Sequence, residues 1–398
     1  MDITIHPSLL EGAITAIPSK SQAHRLMICA AFADAPTTLI CQETNRDIEA
    51  TASCLCALGA DIRHTGNGYT VKPIISLPEK ATLPCGESGS TLRFLLPIVG
   101  ALGVDGTFVM EGRLPQRPMS PLWEEMERMG CHLSRPTDST LRCHGKLQPG
   151  QYRIRGDVSS QFITGLLLAL SLVEGNSSIQ IIGTLESKPY VNMTLQAMEK
   201  FGVKCENLQI RGGQHFHSPH RLMVEGDWSN GAFFLAARAL GSQVYIVGLD
   251  PDSAQGDTAA LAMISALNEH TTICARDIPD LVPILSVVAA ARHGAVFTDI
   301  ARLRLKESDR VASTIAMLEA LGGKAEATEN TLTVYPSPLT GGTVDAMNDH
   351  RIAMSAAIAA TVCREDVTIR NAECVSKSYP KFFEEYRRLG GNYEQYLW

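Results

Sequence analysis

Six stretches of the chain are apolar at nearly every position. They are HRLMICAAFA (24–33), TLRFLLPIVGAL (91–102), FITGLLLALSLV (162–173), GAFFLAARAL (231–240), LVPILSVVAAA (281–291) and RIAMSAAIAAT (351–361). Each has the length of a helix but no wide polar stripe, which predicts helices buried on every side. A polar, often charged loop precedes each one, beginning near Ser21, Ser90, Ser160, Ser229, Asp280 and Asp349. Successive starts are 69, 70, 69, 51 and 69 residues apart. That regularity is an internal repeat of one supersecondary module.

A more amphipathic stretch follows within each repeat, as at 47–58, 119–129, 190–201, 309–321 and 379–389, and predicts a helix nearer solvent. These end at Gly59, Gly130, Gly202, Gly322 and Gly390, suited to a left-handed residue that closes a helix; in the fourth repeat Asn268 takes that place. Alternating segments with central turns, ADIRHTGNGYTVK and GKAEATENTLTVYP, read as hairpins. The module is therefore strand–helix–strand–helix–strand–strand, an α/β class, with the fourth copy truncated by its 51-residue step.

At 398 residues the chain exceeds one ordinary core, so six repeats divide into two domains of three. The apolar helices, at about 10–14 residues, fall short of the roughly 20 needed to cross a bilayer. The opening MDITIHPSLLEG reads as a strand and has no secretory pattern. Eleven cysteines, with Cys54 and Cys56 the only close pair and no metal-ligand spacing, point to reduced thiols in a cytoplasmic protein. A net charge of −7 argues against nucleic acid as the main partner.

In so acidic a chain the basic residues near the helix starts stand out: Lys20, Arg25, Arg46, Arg93, Arg113, Arg117, Lys188, Arg304, Lys306, Arg310, Arg351 and Lys377. Any one of them is ordinary surface charge. As a set at equivalent places they suggest a small polyanionic ligand. The N-terminus of a buried helix adds unpaired N–H groups and the positive end of its dipole. Six such ends facing one cleft would bind anions.

The loops PSKSQAHR (18–25), CGESGSTLR (85–93), LPQRP (114–118), DVSSQF (157–162), SKPY (187–190), RDIPD (276–280), RLKESDR (304–310), NDHR (348–351) and CVSKSYP (374–380) occur in an order and spacing that resembles the enolpyruvyl transferases, in particular the branch acting on shikimate 3-phosphate. The resemblance spans the whole chain. It implies two similar domains, each of three βαβαββ units around buried parallel helices, arranged as an inside-out barrel. One domain would comprise 1–17 with 227–398 and the other 18–226, the site lying in a cleft that closes on substrate. It implies transfer of the enolpyruvyl group of phosphoenolpyruvate to the 5-hydroxyl of shikimate 3-phosphate, with no cofactor or metal, no membrane and no nucleic acid. A monomer is the default, since one chain forms the cleft.

Matched position by position, Lys20, Ser21, Arg25, Ser159, Ser160, Gln161, Ser187, Tyr190, Asp280 and Lys306 correspond to the shikimate 3-phosphate site. Lys20, Gly89, Arg93, Arg117, Gln161, Arg310, Arg351 and Lys377 correspond to the phosphoenolpyruvate site. The two substrates bring roughly four anionic groups together, which demands fixed cations and forked donors. Proton transfer is needed twice, and the matching carboxylates are Asp280, as base on the 5-hydroxyl, and Glu307, as acid then base at the methylene carbon. Lys20 is the alternative proton donor, because a carboxyl among so many cations should be ionised. Plainer readings exist: Asp280 as a helix N-cap, Glu307 as solvated charge, Asp349 and His350 as structural groups at a helix start, and Ser159 and Ser160 as caps of their own helix, which is compatible with ligand binding.

Two departures from the family pattern stand out. Glu87, in Gly86-Glu87-Ser88-Gly89-Ser90, replaces a neutral amide where glyphosate competes in the family; it either pairs with an arginine or faces away. Arg302 stands where many relatives have Asn. The rivals are UDP-N-acetylglucosamine enolpyruvyl transferase and a non-catalytic anion-binding paralogue. Against the first, neither Cys85 nor Cys131 matches its reactive cysteine; against the second, both Asp280 and Glu307 are kept.

Overall fold

In the computed structural model, which describes residues 1–396, the chain forms two compact units, Met1–Ile17 with Gly226–Trp398 and Pro18–Glu225. The crossover leaves Gly226 with the first of these. The six apolar stretches are helices, at Lys20–Ala31, Gly89–Leu102, Ser160–Leu172, Trp228–Ala239, Val282–Ala291 and His350–Ala359. Nearly every residue of each is buried, as the missing polar stripe requires. The helices Trp228–Ala239, Val282–Ala291 and His350–Ala359 pack on one another at the centre of their unit. In the other unit Gly89–Leu102 lies against Ser160–Leu172. The two backbones come so close there that a Cβ on Gly165 would lie 2.2 Å from the Arg93 carbonyl oxygen. Pro97 has no N–H to offer that carbonyl, which leaves it available to the neighbouring helix.

Five of the six repeats build a four-stranded sheet in one order, shown by Lys80–Gly86, Asp105–Met110, Thr140–Gly145 and Cys131–Ser134. The first two strands are parallel across the buried helix, and the hairpin adds the other two antiparallel. The first repeat takes its opening strand from Arg221–Met223, and the sixth takes an inner strand from Asp2–His6. The fourth is truncated to two strands, Gln243–Val247 beside Glu11–Thr15.

Gly59, Gly130, Gly202, Gly322 and Gly390 all take positive φ at the ends of the outer helices. Asn268 does not, so the fourth repeat closes its short helix Ala260–Ala266 without a left-handed residue. Two outer helices are shorter than their apolar pattern, Leu122–Arg128 and Phe382–Arg388, because Pro121 and Pro380 stop the helical ladder from extending back. All eleven cysteines are free thiols. Among the described residues no helix is long and apolar enough to cross a membrane, and no cluster of side chains suits a metal ion.

Candidate active site

Five of the six buried helices begin at a polar cap. Ser19, Ser88, Ser159, Asp227 and Asp349 each accept a hydrogen bond from a backbone N–H one turn in. The fifth helix, Val282–Ala291, is entered through Leu281 with no side-chain cap, so Asp280 is not an N-cap. The fourth start is filled by the protein's own acceptors. Gln255 takes the N–H of Trp228, Asp227 that of Asn230, and Asp257 the hydroxyl of Ser229. The expectation of six helix ends open to an anion therefore fails at this one.

In the unit Pro18–Glu225 the buried Arg25 meets neutral partners. Arg25 is 1% exposed and donates to the carbonyls of Ser21 (2.6 Å) and Tyr190 (3.0 Å) and to the hydroxyls of Thr194 (2.9 Å) and Thr164 (3.3 Å). Its guanidinium also lies 4.9 Å from the centre of the Phe94 ring. Burial pulls it down to about 10. Arg93 donates to Gln161 Oε1 (2.8 Å) and to the Pro118 carbonyl (3.1 Å), and Gln161 Nε2 donates in turn to Ser90 (2.9 Å). Arg117 lies against Gly89, where a Cβ would sit 2.5 Å from its Nη1, and its buried Nε has no hydrogen-bond partner among the described residues. Lys20 differs, being paired with Asp47 at 2.9 Å. Ser187 is buried in a left-handed conformation at the start of the helix Lys188–Lys200, a strained state for a side-chain-bearing residue.

The other unit pairs Arg310 and Arg351 with carboxylates. Arg310, 1% exposed, donates to Asp280 (2.8 Å), Glu307 (2.7 Å) and Asp349 (3.0 Å). Asp280 also receives Arg351 at 3.0 Å and lies 3.5 Å from Lys306. Burial alone would raise the Asp280 carboxyl, but Arg351, Lys306 and Arg310 outweigh it and hold the group well below the usual range. The Arg310 guanidinium is raised because Asp349, Glu307 and Asp280 outweigh its burial. Lys306 is pulled down to about 8 by burial, which with Arg310 and Arg302 outweighs Asp280. Asp349 caps Arg351 N–H and accepts from Ser308, a structural part. Lys377 Nζ donates to the Asn348 carbonyl at 2.8 Å, in a loop where Met347 and Asn348 are both left-handed.

Arg46, Arg113 and Lys188 are exposed, and Arg304 pairs with Asp309 at 3.5 Å. Glu307 is no loose surface charge, since Arg310 holds it. Sequence reasoning missed Asp47 and Asp257. The first merely opens the amphipathic stretch 47–58 beside Arg46, and the second sits in an unremarked Gln-Gly-Asp turn.

A family profile described as EPSP synthase (3-phosphoshikimate 1-carboxyvinyltransferase) matches residues 5–386. The chain belongs to this family. The 3-phosphoshikimate 1-carboxyvinyltransferase of Clostridium kluyveri is 37% identical, aligned over 99% of this chain and 98% of its own length. That of Clostridium novyi is 38% identical over 98% of each. These alignments run to 419 and 426 positions against a chain of 398, so the relatives carry residues missing here. Among solved structures, an EPSP synthase from Acinetobacter baumannii superposes with a TM-score of 0.80 at 22% identity, covering all of both chains. The enolpyruvyl transferase NikO from Streptomyces tendae reaches 0.74 at 18%, covering 99% of this chain and 98% of its own. At such identity the likeness speaks for the fold, a two-domain α/β architecture.

Against the family pattern, Glu87 lies on the backbone of Gly112, where a Cβ would meet its Oε2 at 2.5 Å. Arg302 is buried near Lys306 and contributes to its lowered proton affinity.

Proposed function

We infer that the chain carries out the reaction its family is named for, moving the enolpyruvyl group of phosphoenolpyruvate to the 5-hydroxyl of shikimate 3-phosphate and releasing phosphate. The observation that carries this reading is Arg25, a fully buried cation whose hydrogen-bond partners are all neutral. Keeping such a charge dehydrated is costly unless an anion completes it. Arg117, whose buried Nε has no hydrogen-bond partner among the described residues, makes the same demand. Both substrates are small polyanions.

On this reading Lys20, Ser21, Arg25, Ser159, Ser160, Gln161, Ser187, Tyr190, Asp280 and Lys306 receive shikimate 3-phosphate. Lys20, Gly89, Arg93, Arg117, Gln161, Arg310, Arg351 and Lys377 receive phosphoenolpyruvate. Asp280 is the base for the 5-hydroxyl, and Glu307 and Lys20 serve the methylene carbon.

The pairing of Asp280 with arginines adds a physical step. Gripped by Arg310 and Arg351, Asp280 is a poor proton acceptor. A carboxylate or phosphate that engages those arginines weakens the grip and raises the proton affinity of Asp280. Binding of phosphoenolpyruvate thus switches on the base. Lys306, close to neutrality in its proton exchange, is placed to take the charge change beside it. One chain carries every assigned group, so a monomer suffices for turnover, and the reduced thiols suit the cytoplasm.

The test is phosphate release from phosphoenolpyruvate, with and without shikimate 3-phosphate, in wild type and Asp280→Ala. Release should require the acceptor and fall by about 10²–10⁴ in the variant. Release without any acceptor, or an unimpaired variant, would overturn the assignment. A folded protein that binds shikimate 3-phosphate but releases nothing would be a binding protein instead.

A further inference from the structure

The parallel strands Lys80–Gly86 and Asp105–Met110 run side by side and release two loops from the same end. The first passes through Glu87 and Ser88 into the buried helix Gly89–Leu102. The second, residues 111–117, carries Arg117. A backbone bond from Glu111 N–H to the Gly86 carbonyl (2.8 Å) joins the loops at their base. Beyond it residues 111–113 are exposed, and the chain is buried again only at Leu114.

Glu87 lies against that exposed stretch. A Cβ built on Gly112 would meet Glu87 Oε2 at 2.5 Å, Cδ at 2.6 Å and Cγ at 2.9 Å. These are its three nearest atoms, so the side chain lies lengthwise on Gly112 and a side chain there would displace it. Gly112 also takes φ +54°, a left-handed state that costs glycine little. A tight turn relays this position to Arg117. Leu114 N–H donates to Glu111 (3.1 Å), Gln116 N–H to Arg113 (3.2 Å) and Arg117 N–H to Leu114 (3.2 Å). At the far end Arg93 holds the Pro118 carbonyl at 3.1 Å, and Arg117 Nη1 sits 2.5 Å from the Cβ position of Gly89.

We propose that Glu87 is a positioning residue, a strut laid on Gly112 that keeps the turn 111–117 where Arg117 covers Gly89. This deepens the function proposed above and rests on its reading of Arg117 as a contact of phosphoenolpyruvate. A carboxylate aimed at that anion would repel it. Laid on Gly112, Glu87 acts through its length and shape, so its charge is dispensable and its reach is not.

Steady-state kinetics on the full chain, with shikimate 3-phosphate affinity titrated separately, tests this. Glu87→Gln keeps the shape and should leave the KM for phosphoenolpyruvate within about twofold of wild type. Glu87→Ala should raise that KM about five- to tenfold, with kcat and shikimate 3-phosphate affinity unchanged. Gly112→Ala should raise it likewise, yet add less than about twofold to Glu87→Ala, because its methyl then meets no side chain. The strain of alanine at that φ is present in both backgrounds and cancels in the comparison. Hydrogen exchange at the Gln116 and Arg117 amides reads the strut without turnover, and should be faster in Glu87→Ala and unchanged in Glu87→Gln. A wild type that releases no phosphate defeats the proposed reaction, and exchange then decides the strut alone. A lower KM in either Glu87 variant would place the carboxylate against the substrate and overturn the proposal. So would an unchanged KM in Glu87→Ala, a double variant whose losses multiply, or amides indifferent to Glu87→Ala.

Discussion

Replacing Asp257 by Asn should stabilise the protein at pH 8 and do nothing at pH 4. Asp257 is 2% exposed; its Oδ2 accepts the Ser229 hydroxyl, and its buried Oδ1 has no hydrogen-bond partner among the described residues. Burial, then repulsion from Asp280 and Asp227, pushes its carboxyl up from 3.8 to about 7, against the pull of Arg351 and the Ser229 hydrogen bond. The folded-state value is raised, so the native state binds more protons than the unfolded chain between about 4 and 7. The stability this contributes is complete below about pH 4 and is lost as pH rises through about 7.

Asparagine mimics the protonated acid at every pH and keeps an acceptor for Ser229. A displacement of about three units corresponds to about 4 kcal/mol at 1.36 kcal/mol per unit. Reorganisation of Arg351 and entry of water reduce that, so the expected gain at pH 8 is about 2–4 kcal/mol. For a unit of this size that is about 5–10 °C in midpoint. The assay is thermal and urea unfolding of both proteins at pH 4.5, 6 and 8. The gap should open with pH, mostly between 5 and 7. A pH-independent gap, or an Asn variant less stable at pH 8, would refute the reasoning.

Two further substitutions probe the site. Lys20→Met removes a cation paired with Asp47 and should lower turnover by more than about 10²-fold while costing about 1 kcal/mol or less of stability, checked by phosphate release alongside urea unfolding; near-normal turnover would contradict the assignment of Lys20. Gly89→Ala places a methyl 2.5 Å from Arg117 Nη1 and 3.0 Å from Arg93 Nη1, flexible tips that can shift, so the KM for phosphoenolpyruvate should rise about tenfold or more with shikimate 3-phosphate affinity unchanged; equal losses for both substrates by titration and kinetics would disprove a role specific to phosphoenolpyruvate.

The fold was legible because its signals are periodic and local. Helices without a polar stripe had to be buried, and five glycines at fixed offsets marked where the outer helices stop. Asn268 misled because the truncated repeat has no following hairpin for a left-handed turn to aim. Pro121 and Pro380 shortened two helices whose apolar pattern ran on past them. The cations of the candidate site were legible as a set, since an acidic chain that keeps arginines beside apolar helices needs a reason for them. Their partners were not. Nothing in the linear order says that Arg310 divides itself among Asp280, Glu307 and Asp349, or that Lys20 rests on Asp47, because such pairings are set by tertiary contact.

The two units meet the same electrostatic problem differently, and the difference bears on how binding energy is used. Arg25 is held by carbonyls, hydroxyls and a ring face, so its dehydration is offset only by dipoles. On the proposed reading, an arriving phosphate would supply the missing charge, and most of its Coulomb attraction would appear as affinity. Arg310 and Arg351 already have carboxylates, so an anion reaching them exchanges one partner for another and gains little net affinity. On the same reading, that exchange would change the state of Asp280, freeing it from part of its restraint only when the anion is present. Neutral partners therefore suit holding a substrate. Carboxylate partners suit coupling a substrate's arrival to proton transfer, where interactions that strengthen only along the reaction path raise the rate.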